Sequence, residues 1–524
     1  MSMNKKTKLR KFHQAKWDEP IIFELGEKGE RGIQMPVVEK AIEAEIGDGI
    51  SKLPTSIVRK RPPALPEIGQ MQVLKHYLRM SQENLGADLN VDIGQGTCTM
   101  KYNPKINEQF AASHQFADLH PLQDESTIQG MLEIMYKTEH FLKEISGLDA
   151  FTFQPGGGSQ AILGMATIVE KYHEAKGERG KRDEIITTIF SHPSDYAAAA
   201  VKGYKIINIY QDENGIPDLA ALKAAVSDRT AALFITNPED TGIYNPKIAK
   251  FVKIVHEAGG LCGYDQANAN GILGITRAKE ANFDLTFFNL HKTFSSPHGS
   301  GGPACGALGV TNELARFLPV PVVRFDGETY SLDYGLPDSI GKIRCFYGSM
   351  SAVLKAYAWM MSLGDEGLKE VARIAVLNNN YLLKKILQIR GTSAPYAEGK
   401  HRIEQVRFSW EDLEKETGVS TFDVTCRMAD FGFHMWSSHH PFVISEPFTI
   451  EPTESYSKNE LDEYVAGLQQ VSDEAYETPE IVKTAPHNSV IHRPKDDTLE
   501  DPLKWAMTWR AYLKKCALGQ RKRI

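Results

Sequence analysis

Three short apolar runs in the middle of the chain are each followed by polar residues that could do chemistry. The runs are 231–235, 261–264 and 285–290. The polar residues that follow them are Thr236, Asn237, Asp265, His291, Lys292 and Thr293. In an open parallel α/β sheet, ligands bind at the carboxyl ends of the strands. If the three runs are strands of one such sheet, these side chains lie together in one site.

Lys292 and Asp265 have the side chains that pyridoxal phosphate (PLP) chemistry needs. A lysine in a desolvated site can form a Schiff base with an aldehyde cofactor. An aspartate aimed at the same place would keep a pyridinium nitrogen protonated, so that the ring could accept electrons from a carbanion. A single lysine is more often a surface residue, and a single aspartate after a strand is more often a turn residue. The hypothesis therefore depends on the ordered set of motifs and not on either residue alone.

A glycine-rich turn ahead of a predicted helix could bind a phosphate group. Gly156, Gly157, Gly158 and Ser159 lead directly into the helical pattern at 160–176. Glycines let backbone amides approach a ligand closely, and the N-terminus of a helix favours an anion. The turn is neither a Walker A motif nor a GxGxxG dinucleotide motif. A flexible loop capped by Ser159 is the alternative that the sequence leaves open.

The composition argues against several classes of protein. The chain has 524 residues, with 60 Lys and Arg against 67 Asp and Glu, and a net charge of −7. A dedicated nucleic-acid binder or a cationic membrane-surface protein would usually be strongly basic. No uncharged apolar run approaches the roughly 20 residues that a membrane span needs. No apolar segment of the secretory type follows the basic residues 1–11.

The cysteines and histidines indicate neither disulfides nor a metal site. Six cysteines are scattered without a CxxC pair, which is typical of reduced thiols in a cytoplasmic protein. His439 and His440 are adjacent, so they would point in different directions on any regular element. We therefore expect a cytoplasmic protein without a catalytic metal.

The order of the predicted elements suggests three regions. Residues 1–115 are expected to form an N-terminal arm and a helical segment. Between 116 and 350 short apolar runs alternate with helical patterns, which predicts a large α/β domain with a mostly parallel sheet. Residues 351–524 are expected to form a smaller α+β C-terminal domain with a basic tail, including strands at 405–409 and 442–445.

Four stretches of the chain have the residues of a known enzyme family. They are 98–108, 289–294, 297–299 and 450–454. These stretches resemble subunit 2 of the P protein of the glycine cleavage system, a PLP-dependent glycine decarboxylase. The resemblance implies fold type I of PLP enzymes, and decarboxylation of glycine with transfer of the aminomethyl group to the lipoyl arm of a carrier, the H protein. It also implies a homologous subunit 1 as partner in a heterotetramer.

The same resemblance implies roles for individual residues. Lys292 would be the Schiff-base lysine, Asp265 the partner of the pyridinium nitrogen, and His192 the residue that stacks on the ring. The other implied cofactor-binding residues are Gly157, Gly158, Ser159, Thr236, Asn237, Ala267, His291 and Thr293. The expected substrate residues are Thr99, Lys101 and Asn103. This last group belongs to a segment that could instead support a subunit interface.

Some positions depart from the family pattern and leave two alternatives open. Residues 156–162 are Gly-Gly-Gly-Ser-Gln-Ala-Ile where relatives tend to have Ala-Ala-Gly-Ala-His-Gly-Glu. Residues 265–268 are Asp-Gln-Ala-Asn in place of Asp-Gly-Ala-Asn. One alternative is a divergent fold type I PLP enzyme, such as a decarboxylase, lyase or aminotransferase, that acts on a different amino acid. The other is a non-catalytic scaffold, which the presence of both Lys292 and Asp265 disfavours.

Overall fold

The computed structural model describes two compact units of the chain. The described residues are 7–33, 35–61, 63, 65–86, 89–94, 96, 101–299, 302–396, 399–435, 443–490, 492–493, 508–510 and 513–514. The larger unit comprises the described parts of 1–10 and 87–484, and the smaller unit those of 11–86 and 485–524. The domain boundaries near 115 and 350 that the sequence suggests stay predictions.

The smaller unit has little regular structure. Its helices of more than one turn are α1 (Lys40–Ile46) and α2 (Gln70–Gln82). The second of these lies in the region 1–115, where the sequence predicts a helical segment. His76 on α2 is buried, and its Nδ1 lies 2.9 Å from Oε1 of Glu19. Large apolar side chains are mostly exposed on this unit, as Val37 and Ile57 are.

A seven-stranded sheet forms the centre of the larger unit. Its strands are β1 (Ala150–Thr152), β2 (Glu184–Thr188), β3 (Lys205–Ile209), β4 (Thr230–Thr236), β5 (Leu261–Asp265), β6 (Leu285–Asn289) and β7 (Gly306–Val310). Their order in the sheet is β1-β7-β6-β5-β4-β2-β3. The pairs from β3 to β6 are parallel, whereas β7 pairs antiparallel with β6 and β1. The sheet is mostly parallel, as the alternating pattern predicts.

Helices cover the sheet on both faces and complete its core. In this part of the unit they are α3 (Lys105–Ala112), α4 (His114–Ala117), α5 (Gln129–Ser146), α6 (Gly158–Ala175), α7 (Pro193–Val201), α8 (Leu219–Ala225) and α9 (Ile248–Glu257). Successive side chains of a strand point to opposite faces. On β4, Leu233 belongs to the apolar cluster that contains Val252 of α9. The next residue, Phe234, belongs to the cluster that contains Met165 of α6.

The C-terminal part of the larger unit contains two small antiparallel sheets and a long bent helix. The sheets pair β8 (Val322–Phe325) with β9 (Tyr330–Asp333), and β10 (Val406–Ser409) with β11 (Pro447–Ile450). The helices are α10 (Met350–Ile386), α11 (Glu411–Thr417), α12 (Thr421–Ala429), α13 (Lys458–Glu477) and α14 (Pro479–Lys483). Helix α10 is interrupted at Gly364, where φ is +66°. This interruption divides α10 into two helical segments.

The strand predicted at 442–445 is wrong for the described residues 443–445, which lie in turns and bends. The strand of this region is β11, which begins at Pro447. Glu446 precedes it with a φ of +42°, a conformation that an extended strand cannot contain. The described residues 443–445 of the apolar run therefore lie before the change in backbone conformation at Glu446, and the paired strand β11 follows it.

None of the helices within the described ranges is long and apolar enough to cross a membrane.

Candidate active site

A cavity lies at the carboxyl ends of the central strands. Its lining includes His192, Thr236, Asp265, Ala267, Lys292 and Glu404. The structure thus brings five of the residues selected from the sequence to one place and adds Glu404 to them.

Asp265 is the last residue of β5 and lies opposite Thr236 of β4 in the sheet register. Its side chain is buried, and Oδ1 accepts a hydrogen bond of 2.8 Å from the backbone N–H of Ala267. Burial raises the pKa of Asp265, while the Ala267 N–H and the charge of Lys292 act in the opposite direction. The carboxyl group is therefore fixed in orientation and placed where a cation would be stabilised.

Lys292 lies in the turn that follows β6 and is 7% exposed. Its backbone N–H donates to the carbonyl of Asn289 at 3.0 Å, which holds the turn against the strand end. The amine interacts electrostatically with three buried carboxyl groups, those of Asp265, Glu404 and Glu451. An amine in this setting is shielded from water and directed towards the cavity that Asp265 also lines.

His192 caps the N-terminus of α7 beside the cavity. Its Nδ1 accepts a hydrogen bond of 3.1 Å from the backbone N–H of Ser194 and lies 2.6 Å from the Ser194 hydroxyl. Because Nδ1 accepts from the backbone N–H, a neutral ring carries its proton on Nε2. The ring is thus held in place at the cavity wall, and the stacking role stays a prediction.

The glycine turn packs directly against the end of β6. Helix α6 begins at Gly158, and a Cβ atom there would lie 3.0 Å from Nδ2 of Asn289. A Cβ atom on Gly156 would lie 2.7 Å from Nη1 of Arg344. The turn therefore combines a close backbone approach, a helix N-terminus and a guanidinium group, which together suit an anion. Arg344 has no local motif in the sequence that could have identified it.

Two of the predicted cofactor-binding residues use their side chains elsewhere in the structure. Oδ1 of Asn237 accepts from the backbone N–H of Asn245 at 2.8 Å. Oγ1 of Thr293 accepts from the backbone N–H of Ala269 at 2.8 Å. Both side chains shape the loops around the cavity, and their contact with a cofactor stays a prediction.

His291 is not among the residues that line the cavity. Its Nδ1 lies 3.2 Å from the backbone carbonyl oxygen of Cys305. Burial, together with the charges of Lys292 and His298, lowers the pKa of His291 to about 3. The imidazole is therefore neutral at ordinary pH and cannot supply positive charge to a phosphate group.

Two buried glutamates near Lys292 were not selected from the sequence. Glu451 accepts hydrogen bonds from Nδ2 of Asn268 at 2.6 Å and Nδ2 of Asn270 at 2.7 Å, and burial raises its pKa to about 7. Glu404 accepts from the backbone N–H of Gly271 at 2.9 Å. Burial and the charge of Glu451 raise the pKa of Glu404 well above its usual value. Glu451 belongs to the family stretch 450–454, whereas Glu404 precedes a predicted strand without any signal.

The expected substrate residues are only partly within the described chain. Lys101 is buried, and its Nζ lies 3.0 Å from Oε2 of Glu454. Nδ2 of Asn103 donates to Oε1 of Glu108 at 2.5 Å. Thr99 lies outside the described residues. Lys101 thus connects the stretch 98–108 to the stretch 450–454, and the substrate roles of all three residues stay predictions.

A group of possible metal ligands lies outside the cavity lining. Ligand atoms of His256, Cys262 and Asp284 lie within 4.8 Å of one another. Oδ2 of Asp284 lies 2.8 Å from Nε2 of His256 and accepts from the backbone N–H of Cys262 at 2.7 Å. These hydrogen bonds explain the cluster as a support between α9 and β5. His439 and His440 lie outside the described residues, and the absence of a catalytic metal stays a prediction.

Comparisons with known proteins agree with this fold. Residues 153–321 match the class-V aminotransferase family, and residues 371–495 match the glycine dehydrogenase C-terminal domain. The fold and the site define a PLP-dependent enzyme of fold type I. The probable glycine dehydrogenase (decarboxylating) subunit 2 of Pyrococcus horikoshii is 46% identical over 96% of this chain and 98% of its own. This chain belongs to the family of glycine dehydrogenase (decarboxylating) subunit 2.

Further similarities extend to a bacterial relative and to solved structures. The corresponding protein of Caldanaerobacter subterraneus is 41% identical over 90% of this chain and 95% of its own. An inhibitor-bound glycine decarboxylase (P-protein) of the glycine cleavage system has a TM-score of 0.69 at 19% identity, covering 84% of this chain and 99% of that one. A NifS-like protein has a TM-score of 0.56 at 15% identity over 72% and 97%. The two solved structures support the fold.

The residues present at the site fit PLP. Oγ1 of Thr236 and Oδ1 of Asn289 are buried and have no hydrogen-bond partner within the described part of the chain. Buried polar atoms are normally satisfied, so both atoms suit a polar ligand group. A Cβ atom on Gly158 would crowd the same strand end that carries Asn289. The lysine, the carboxylate and the anion-binding turn are the three parts that the cofactor's aldehyde, ring nitrogen and phosphate require.

Proposed function

We propose that this chain is the PLP-bearing subunit of a glycine decarboxylase that transfers the aminomethyl group of glycine to the lipoyl arm of a carrier protein. The observation that supports it most is the burial of Lys292 and Asp265 together, at the ends of the adjacent parallel strands β5 and β6. The names of the related proteins support the decarboxylation of glycine. The transfer to a lipoyl arm follows from the resemblance to the glycine cleavage system.

Different residues of the described chain would bind different parts of the cofactor. Bound PLP supplies a ring that accepts the electrons left on the substrate carbon when carbon dioxide departs. Lys292 would hold the aldehyde end of the cofactor through its amine, and Asp265 would hold a proton at the ring nitrogen. His192 would pack on the ring. Gly157, Gly158 and Ser159 at the N-terminus of α6, with Arg344 beside them, would hold the phosphate.

The protein environment also excludes water and holds protons near the reacting atoms. Lys292 and Asp265 are 7% and 4% exposed, so their charges interact in a medium of low dielectric constant. Glu451, whose pKa is about 7, can hold or release a proton close to the amine at neutral pH. When the aminomethyl carbon bonds to one sulfur of a lipoyl disulfide, the S–S bond breaks and the other sulfur takes up one proton, which Glu451 or Glu404 could supply.

Reductive trapping tests the role of Lys292. Borohydride treatment of the PLP-loaded enzyme should attach a pyridoxyl group to the peptide that contains Lys292, as read by mass spectrometry. Lys292→Ala should lose this label and the decarboxylation of glycine. Lys253→Ala, a change at an exposed lysine of α9, should keep both.

The same experiment separates the proposed function from its alternatives. Label on another lysine, or none on the loaded enzyme, would contradict the assignment of the site and favour a scaffold role. Label on Lys292 without decarboxylation of glycine, in the presence of a carrier and the partner subunit, would point to another amino acid. A panel of amino acids, scored by change in cofactor absorbance, would then identify it.

A further inference from the structure

Asp195 is a buried carboxyl group that the proposed reaction does not use. It is the third residue of α7 and is fully buried. An aspartate in the first turn of a helix usually lies near the surface, where it interacts with the helix dipole. Both of its carboxyl oxygens are instead buried and accept no hydrogen bond from a donor within the described residues, and the side chain that interacts with them is another acceptor, the carboxyl of Asp265. A role in stabilising α7 alone does not explain why this carboxyl group is buried.

Two carboxylates in contact and away from water cannot both stay ionised. Burial, followed by the charge of Asp265, raises the pKa of Asp195 well above its usual value. The backbone amide of His192 acts in the opposite direction, and its effect is the smallest of the contributions. One proton must therefore be shared between the two side chains.

The surroundings of the pair decide which carboxyl keeps the proton. Asp265 accepts from the Ala267 N–H at 2.8 Å and faces the positive charge of Lys292, and both favour its ionised form. Glu404, which faces Asp265 from the segment before β10, has a raised pKa of its own and adds little negative charge when protonated. The ionised member is thus Asp265, and the protonated member is Asp195.

We propose that Asp195 is a positioning residue that stays protonated and donates a hydrogen bond to Asp265, which fixes that carboxylate opposite the ring nitrogen of the cofactor. The inference rests on the proposed role of Asp265. With the Ala267 N–H and the Asp195 hydroxyl as two donors, the carboxylate loses its rotational freedom and retains an oxygen lone pair for the cofactor. The shared proton also avoids a second negative charge behind the ring.

Substitutions at Asp195 distinguish the effect of its hydrogen-bond donor from the effect of its acidic group. Asp195→Asn keeps a donor of nearly the same shape and should bind PLP within about twofold of the wild type, with the same pH dependence of cofactor absorbance. Asp195→Leu removes the donor and should weaken PLP binding by about fivefold or more, the loss expected for one charge-assisted hydrogen bond. Equilibrium dialysis of PLP and a pH titration of the bound cofactor's absorbance are the readouts.

Two controls separate this inference from helix stability and from the role of Asp265. Asp423 occupies the same third position of α12, where it forms a capping box with Ser420. Asp423→Ala should lower the thermal midpoint without changing PLP affinity. Asp265→Ala should weaken PLP binding and shift the absorbance of the cofactor. Wild-type behaviour of Asp265→Ala would refute the proposed role of Asp265 itself.

Infrared spectroscopy tests the proton on Asp195 without relying on a variant that could fail to fold. The wild-type holoenzyme should show the C=O stretch of a buried protonated carboxyl group that is missing in Asp195→Asn. The inference is overturned if that band is unchanged in Asp195→Asn, or if Asp195→Leu binds PLP as the wild type does while Asp265→Ala does not.

Discussion

At the scale of single residues, burial controls which carboxyl groups around Lys292 carry a proton. Asp265, Glu404 and Glu451 all interact with this amine, and burial raises the pKa of each. The hydrogen bonds they accept differ, so the three groups do not titrate alike. The site can therefore hold protons at neutral pH and is less negative than its formal charge suggests.

The raised pKa of Glu451 predicts a pH-dependent contribution to stability. A folded-state pKa of about 7, above the ordinary 4.5, means that the native state binds this proton more tightly than the unfolded chain does. The contribution is therefore complete below about pH 4.5 and is lost as the pH rises through about 7, a change of roughly 3 kcal/mol. Glu451→Gln should show a smaller fall in calorimetric midpoint between about pH 5 and about pH 8 than the wild type.

The matched control for this prediction is an exposed glutamate. Glu257 pairs with Lys253 on the surface of α9, and Glu257→Gln should keep the wild-type pH dependence. An unchanged pH dependence in Glu451→Gln would show that this carboxyl is ionised in the native state throughout the range.

At the scale of elements, the approach of α6 to β6 shapes the anion-binding turn. The first helical residue, Gly158, lies against Phe287 and Asn289, so the helix N-terminus reaches the strand end that leads to Lys292. The N-terminus of a helix can come this close to a strand end only if the first turn lacks a side chain on that face. The proposed phosphate site therefore depends on packing between two elements, and not on loop flexibility.

Adding one methyl group at this contact should disturb cofactor binding. The Cβ atom of Gly158→Ala would lie 3.0 Å from Nδ2 of Asn289 and 3.2 Å from Cε2 of Phe287, so the turn must shift. We expect PLP affinity to fall by about tenfold, which corresponds to about 1.4 kcal/mol of strain. Gly130→Ala, where the added Cβ meets open space, should leave PLP affinity unchanged. Equal PLP affinity in both variants would disprove the packing argument.

At the scale of the whole molecule, the smaller unit exposes many large apolar side chains. Val37, Ile33 and Ile57 are more than half exposed, and the three apolar clusters of the described structure contain no residue of 11–86. Exposed apolar surface of this kind commonly marks a site of protein association. The feature is in keeping with the proposal that a homologous subunit 1 assembles with this chain.

The proposed assembly predicts a dependence of activity on the partner. The purified chain should bind PLP but exchange the carboxyl group of glycine with labelled bicarbonate only slowly. Addition of subunit 1 should raise that exchange by about tenfold or more, because the partner would complete the catalytic arrangement. Rapid exchange by the chain alone would contradict this requirement.

The sequence alone was sufficient for several regular elements of the large α/β region and for the selection of two residues that line the cavity. The apolar runs at 231–235, 261–264 and 285–290 correspond to β4, β5 and β6, and the helical pattern at 160–176 corresponds to α6. Such elements follow from hydrophobic periodicity, which is a local property of the chain. Lys292 and Asp265 could be selected because each lies at or shortly after the end of an apolar run, and strand ends meet at one edge of a parallel sheet.

Only the tertiary structure decided which other groups face these two residues. Arg344, Glu404 and Asp195 lie far from Lys292 along the chain, and their types and neighbours in sequence are ordinary. The structure also assigned the amide of Asn237 to a neighbouring loop and turned His291 towards the backbone of Cys305. Protonation depends on burial and on charges brought together across the fold, and these quantities do not exist until the chain has packed.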